Sequence, residues 1–479
     1  MTDDTLPHES SPPMDSSLPL SRRDLLKSAA ATGAGLVLSH LTEPEPASAA
    51  EATPSDQSRV TSHESRVARV SMAGVPFEKH EVVRIAIVGT GLRGRSMLSE
   101  WLGVDNVRIT ALCDIVPDKV ERARQMMQRA GHTYEPAVFT AGERDFENLC
   151  RRDDIDFVYT ATPWQYHVPV MLAAMANGKH CGTEVPAAYT LDDCWKLVDA
   201  SEKSRRHCML MENCCYGYNE LLVLTMVRAG IFGDVFAGGA AYNHDLRGIL
   251  NENRDEGLWR RAHHTQRNGN LYTTHGLGPV ASYMDVNRGD RFEYMVSMST
   301  PESGLSKWRE TNEPRDSPKW QEKYVCGDLN RSLIKTAKGR VILLEHNVTS
   351  PRPYSRINSV QGTNGIFEDY PPRIFIEAPN TPERWGTIDA WKAEHEHPLW
   401  RTIGEKARTG GHGGMDYVQA WRLVQCMRDG LEPDIDVYDA AAWSAPGPLS
   451  EKSVANKGQS VAFPDFTRGA WQTPRKAFA

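Results

Sequence analysis

The 479-residue chain lacks several things, and each absence removes a class of function. It has no apolar run long and uniform enough to cross a bilayer, so no membrane-spanning element is expected. It has no basic excess. Its 55 Lys and Arg against 62 Asp and Glu give a net charge of -7 without long runs, so there is no basic face for nucleic acid. It has no CxxC pair and no regular cysteine ladder, and nine is an odd number of cysteines, so no disulfide framework is expected and no metal site either. The adjacent Cys214 and Cys215 read as buried small hydrophobes. The ligand left by these exclusions is a small, largely neutral molecule.

What is present begins with "SRRDLLKSAAATGAGLVLSH", residues 21–40. Arg22 and Arg23 precede a mild Ala/Gly/Leu/Val run, and "PASAA" then offers Ala47-Ser48-Ala49 as a small-residue cleavage site. The run lacks an i, i+3, i+4 stripe and is followed by Pro44 and Pro46, which argues against an amphipathic helix of the mature fold. Residues 1–49 are therefore expected to be a twin-arginine signal read by the Tat export machinery, with a periplasmic or extracellular destination. Residues 50–80, polar and Ser-rich, are expected to form a linker or arm. About 400 residues remain, enough for one large or two ordinary domains. Because this route carries folded proteins, a cofactor can travel as cargo.

A β-branched run, Val82 to Val88, ends at Gly89, Gly91 and Gly94 in GxGxxG spacing, and a helix-compatible segment follows. Such glycines permit a tight turn, close approach of the backbone to a pyrophosphate and packing of helix on strand, while the helix N-terminus faces the phosphate charge. A second strand, "VRITALCD", ends in Asp114, twenty positions after Gly94. A carboxylate there binds the adenosine ribose hydroxyls and repels a 2′-phosphate, so NAD is expected rather than NADP. "ERARQMMQRAG" and "QYHVPVMLAAMANGKH" read as helices, "DFVYTATP" and "CGTEVPAA" as strands closing on turns. The alternation predicts an α/β domain over residues 81–212, a Rossmann doubly wound parallel sheet, with the loops Thr162–His167 and Glu184–Pro186 bordering the nicotinamide.

From residue 213 to 479 the periodicity changes. "DVFAGGAAYNHD", "FEYMVSMST", "RSLIKTAKGRVILLEHNV" and "YSRINSVQGTNGIFED" alternate in the manner of a large, open, mainly antiparallel sheet in a second, α+β domain. Its open face is a natural surface for a homo-oligomer. In "NGNLYTTHGLGP", Tyr272 and His275 would present a phenol and an imidazole to one site if a helical turn begins there. Taken alone, such a pair is more often a hydrogen-bonding scaffold than a catalyst.

The GxGxxG segment, "TPWQYHVPVMLAAMANGKHCGTEVP" and the open-sheet half together resemble the Gfo/Idh/MocA oxidoreductase superfamily over residues 82 to about 430. Dehydrogenases of that group carry Glu-Lys-Pro where this chain has Glu184-Val185-Pro186, and valine can neither polarise nor deprotonate an alcohol. More specifically, "GNLYTTHGLGPVA", "EVPAAYTLDDCWKLV", "GGHGGMDY" and "DVYDAAAWSAPGPLSEKSVANKGQSVAFPDFTRG" resemble glycoside hydrolase family 109, whose characterised members are NAD-dependent α-N-acetylgalactosaminidases. Thr273 stands where that family has proline.

The resemblance implies NAD contacts at Leu92, Arg93, Asp114, Trp164, Gln165, Tyr166, His167, Glu184, Val185 and Asn213. It implies sugar contacts at Tyr242, Arg260, Tyr272, Thr273, Thr274, His275 and Tyr354, with His412 a further candidate. It also implies a cycle on a glycoside or glycan terminus. The sugar is oxidised at C3, deprotonated at C2, loses the glycosidic oxygen from C1, takes up water and is reduced again, so the cofactor ends as it began. Tyr272 and His275 would manage the C2 and C3 protons in an order the sequence leaves open, and Glu184 would position the nicotinamide ribose. Two alternatives stand beside this reading: an NAD-dependent sugar or polyol dehydrogenase, and a non-catalytic sugar-binding protein on the same scaffold.

Overall fold

The computed structural model describes residues 70–379 and 382–478; the expected export signal and the expected linker as far as residue 69 lie outside them. The first sheet contains β1 (Val83–Val88), β2 (Val107–Cys113), β3 (Ala137–Phe139), β4 (Phe157–Thr160), β5 (His180–Thr183) and β6 (Cys208–Leu210). Its order is β3-β2-β1-β4-β5-β6 and every pairing is parallel. Helices such as Leu92–Leu102, Trp164–Ala176 and Leu191–Ser204 connect the strands. Parallel strands covered on both faces favour apolar side chains on both, and Phe157, Val158 and Tyr159 of β4 are buried accordingly; β5, although His-Cys-Gly-Thr, is buried along its whole length too. The order reverses beside β1, so a crevice opens at the carboxyl ends of β1 and β4, where α/β sheets bind ligands.

The second sheet contains β7 (Val235–Asn243), β8 (Phe292–Ser299), β9 (Asn330–Thr336), β10 (Val341–Asn347), β11 (Ser359–Gly362), β12 (Gly365–Glu368), β13 (Arg373–Ile376) and β14 (Val461–Ala462). Its order is β13-β12-β11-β7-β10-β9-β8-β14, antiparallel except where β10 runs beside β7. Alternation sorts its faces: Ala240, Met295, Ile334, Ile342 and Leu344 are buried, while Tyr294, Met298 and Leu333 are exposed on the other side. The helix Thr274–Tyr283 lies on the buried face. It can do so because Gly276 has no side chain: a Cβ there would sit 2.3 Å from the Ala241 backbone nitrogen.

The division at residue 212 separates the two sheets, but the chain later returns across it. Helix Met415–Asp429 packs on Leu92–Leu102, and helix Val437–Ser444 packs on Leu191–Ser204 and β6. Of the segment 50–80, expected as a linker or arm, the described end is a packed arm. Met72 and Phe77 are buried, the Phe77 N–H donates to the Leu431 carbonyl at 2.9 Å, and the Met72 N–H donates to the Tyr438 hydroxyl at 2.9 Å. Two apolar side chains in a polar stretch make no periodicity, so the pattern hides this anchoring. All nine cysteines are buried free thiols. No helix among the described residues is long and apolar enough to cross a membrane.

Candidate active site

A cleft of about 700 Å³ runs from the carboxyl ends of β1, β2 and β4 to the end of β7. At one end the GxGxxG turn forms its floor. A Cβ at Gly94 would lie 1.8 Å from the Gly89 carbonyl oxygen, so only glycine lets the helix Leu92–Leu102 approach the turn this closely. The helix is N-capped by Gly91 without any side-chain hydrogen bond, which leaves its first-turn N–H groups unclaimed by a cap. A Cβ at Gly91 would meet nothing within 4 Å. An open cradle at a helix N-terminus fits a diphosphate. Asp114, at the end of β2, accepts from the Thr90 N–H at 2.8 Å and the Val116 N–H at 2.9 Å, which fixes its carboxylate on the cleft wall.

The middle of the cleft is held by a charged network. Glu184, just after β5, accepts from Arg93 Nε at 2.8 Å and from the Tyr159 hydroxyl at 2.7 Å. Asp416 accepts from Arg93 Nη1, Asn213 Nδ2 and His412 Nδ1, each at 2.7 Å. Burial works against ionising Asp416, but the His412 hydrogen bond and the Arg93 guanidinium outweigh it and hold the carboxyl well below its ordinary range. The Asp416 hydrogen bond in turn raises His412. His167 ties two loops, its ring nitrogens lying 2.8 Å from the Pro186 carbonyl and 2.9 Å from that of Thr162, and burial lowers its pKa. Trp164, Gln165, Tyr166 and Val185 also line this part, while Leu92 stands exposed at the lip.

At the far end two elements of the second domain meet. Tyr242, at the end of β7, stacks on Tyr272 with ring centroids 4.2 Å apart. The Tyr272 hydroxyl lies 3.1 Å from His275 Nε2, in the first turn of the helix that Gly276 allows against β7. The Arg260 guanidinium sits 4.7 Å from the Tyr272 ring centroid and donates to Glu256 Oε2 at 2.6 Å. Its neighbour Arg261 turns away to Glu322. Burial pushes the Tyr272 phenol well above its ordinary range and the Tyr242 ring adds to this, with the Arg260 cation working against them.

The expected residues thus converge, with exceptions. The Thr273 and Thr274 side chains are buried and do not line the cleft; the Thr273 hydroxyl donates to the Trp443 carbonyl. Gly94 serves the packing of the turn from behind it. Tyr354 stands at the rim, 38% exposed, its ring 5.0 Å from that of His244. Sequence reasoning missed Asp416, Tyr159, Glu256 and His244, the last of which lies 3.1 Å from the Tyr242 hydroxyl. It also missed Glu212, fully buried, whose Oε1 accepts from His275 Nδ1 at 2.7 Å. Glu212, Cys214 and His275 offer ligand atoms within 4.8 Å of one another, but His275 Nδ1 is already taken by Glu212 Oε1 and burial raises the Cys214 thiol. The trio reads as a hydrogen-bonded chain rather than a cation cage.

Comparison with known proteins gives the family and the fold. Residues 216–473 match the profile for the glycosyl hydrolase 109 C-terminal domain, and residues 83–212 that for the oxidoreductase family NAD-binding Rossmann fold. The chain belongs to glycoside hydrolase family 109. A glycosyl hydrolase family 109 protein of Solibacter usitatus is 53% identical, with 95% of this chain and 98% of that one aligned. An alpha-N-acetylgalactosaminidase of Shewanella oneidensis is 44% identical over 94% of this chain and 97% of its own. Among solved structures, an inositol dehydrogenase homolog from Azotobacter vinelandii complexed with NAD+ shares the fold at a TM-score of 0.59 and 16% identity, over 81% of this chain and 99% of that one. Residues 19–39 match the twin-arginine translocation signal, which supports export to the periplasm or beyond.

Proposed function

We propose that this glycosidase hydrolyses terminal α-N-acetylgalactosaminides by a redox cycle in which NAD stays in the cleft and is returned unchanged. The observation that carries the reading is the Tyr272–His275 pair, with Arg260 over the phenol ring, in one cleft with the dinucleotide cradle. Gly91 and the first turn of the following helix would hold the diphosphate, and Asp114 the adenosine ribose. Arg93 and Glu184 would set the nicotinamide ribose, with Trp164 to His167, Val185 and Asn213 around them. A bound nicotinamide supplies reversible oxidation of the sugar alcohol at C3. The resulting carbonyl acidifies the hydrogen on C2 by delocalising its electron pair into an enolate.

The chain's own part is proton management and positioning. The Tyr272–His275 pair takes the C2 proton while the C1–O bond breaks, and gives one back after water has added at C1. Arg260 stabilises negative charge that develops on the phenol oxygen, and stacked Tyr242 forms a flat wall for the sugar ring. Tyr354 and His412 stand where the substrate enters. A scheme with two free carboxylates across the scissile bond finds less support, since Glu184, Glu212 and Glu256 are each engaged, by Arg93, His275 and Arg260. A dehydrogenase that releases its cofactor is disfavoured by Val185, a buried apolar side chain beside Glu184. The test is the purified protein with a chromogenic α-N-acetylgalactosaminide and no added cofactor. Chromophore release lost on stripping the nucleotide and restored by NAD is the expected result; full activity of the stripped protein would overturn the reading.

A further inference from the structure

Glu212 enters none of the readings drawn from the sequence, yet it is among the most constrained groups in the cleft wall. Its side chain is completely buried at the end of β6, just before the turn Asn213–Tyr216. Oε1 accepts from His275 Nδ1 at 2.7 Å and from the Cys214 N–H at 3.1 Å, and the buried Thr274 hydroxyl also acts to hold the carboxylate ionised. The helix carrying His275 is pressed against this carboxylate: a Cβ at Gly278 would come within 3.2 Å of Glu212 Cγ. A buried carboxylate is costly unless it is hydrogen-bonded or paired. Its hydrogen-bonded partner here is the His275 imidazole.

The geometry points to Glu212 as the positioning residue that makes His275 the proton store of the relay and leaves the Tyr272 oxygen as the atom that meets the sugar. This rests on the redox-cycling reading above. The tautomer follows from electrostatics. If Nδ1 carried no proton, its lone pair would face a carboxylate oxygen 2.7 Å away, so Nδ1 must donate. In the neutral ring the lone pair is then on Nε2, which accepts from the Tyr272 hydroxyl 3.1 Å away. Burial acts to raise Glu212, but the charge and hydrogen bond of His275 leave it below its ordinary range, in keeping with an ionised acceptor.

The proton movements balance. The C2–H electron pair passes into the enolate, and the proton goes to the Tyr272 oxygen. The phenol's own proton moves to His275 Nε2. The imidazolium so formed is paired with the Glu212 carboxylate; the C1 oxygen leaves with the electron pair of the broken bond and takes a proton from water, and the water that later adds at C1 gives one proton back to solvent. When C2 is protonated again the transfers run in reverse, with protons that have exchanged with water in the interval.

The test compares Glu212→Gln and Glu212→Asp with the unaltered protein, each checked for folding by thermal midpoint and for bound NAD. Glu212→Gln keeps an acceptor but removes the charge. It is expected to lower kcat by roughly a hundredfold or more, leave KM within a few fold, and move the acid limb of the pH profile to lower pH. Glu212→Asp keeps the charge and is expected to retain the unaltered limb with a smaller loss of kcat. A well-folded, NAD-loaded Glu212→Gln protein with kcat within twofold and an unmoved limb would overturn the assignment. So would a Glu212→Asp protein, the readout if the Gln variant does not fold, whose acid limb shifts. If the unaltered protein shows no hydrolysis without added cofactor, the cycle itself fails. If it does hydrolyse and the Gln variant behaves identically, only the role of Glu212 fails.

Discussion

Replacing Tyr272 by Phe removes one oxygen from the centre of the cleft and leaves almost everything else in place. The ring is 9% exposed, stacked at 4.2 Å on Tyr242 with Arg260 4.7 Å from its centroid, and all of that packing survives the change. The stability term is the single hydrogen bond to His275 Nε2, about 1 kcal/mol. The catalytic term is larger. Without the phenol, His275 has no hydroxyl through which to exchange a proton with the sugar, and loss of a positioned acid–base group lowers kcat by roughly 10² to 10⁴, or about 3–5 kcal/mol on the barrier. The assay is release of chromophore from an aryl α-N-acetylgalactosaminide, beside bound NAD measured after heat denaturation and a thermal melt. Activity should fall at least a hundredfold with NAD content unchanged and the melting midpoint shifted by only a few degrees. A variant that keeps activity within a few fold would remove Tyr272 from the mechanism.

Gly94→Ala places a methyl group 1.8 Å from the Gly89 carbonyl oxygen, so the cradle must open; the protein is expected to purify without NAD, and normal NAD content would refute the cradle assignment. Acid should destabilise the fold through buried neutral histidines. Burial lowers His207 and His346 to about 3 and His397 to about 4, with the positive charge of neighbouring His180 or Arg260 adding to the first two. Because their folded values lie below the unfolded one, near 6.5, the unfolded state takes up more protons. Their stability contribution is therefore complete above about pH 6.5 and is lost progressively as pH falls toward 3–4. Chemical unfolding at stepped pH should show that decline, and stability flat from pH 7 to 4 would contradict it.

The parts of this site that are local in sequence were legible. The GxGxxG turn and Asp114 announce themselves because strand, turn and helix follow in order, and the structure joins Thr90 to Asp114 with a hydrogen bond. Tyr272 and His275 could be paired because they stand three apart across the start of one helix. Glu212 could not be, because its partner His275 lies on another element and no spacing connects "MENCCYGY" with "YTTHG". Asp416 is similar: it lies in the first turn of the helix Met415–Asp429, most of whose residues are buried, so the stripe that marks a surface helix is blurred. That helix lies against Leu92–Leu102 of the first domain, which is how Asp416 reaches Arg93. The strands of the second sheet were foreseen from alternation, but its parallel β10–β7 pairing depends on tertiary contacts alone.

The most direct measurement is hydrolysis in deuterated water with no added cofactor, followed by location of the label in the released sugar. If the C2 hydrogen is removed and returned through the Tyr272–His275 pair, the product carries deuterium at C2. A product released at full rate with its original hydrogen at C2 would contradict the account.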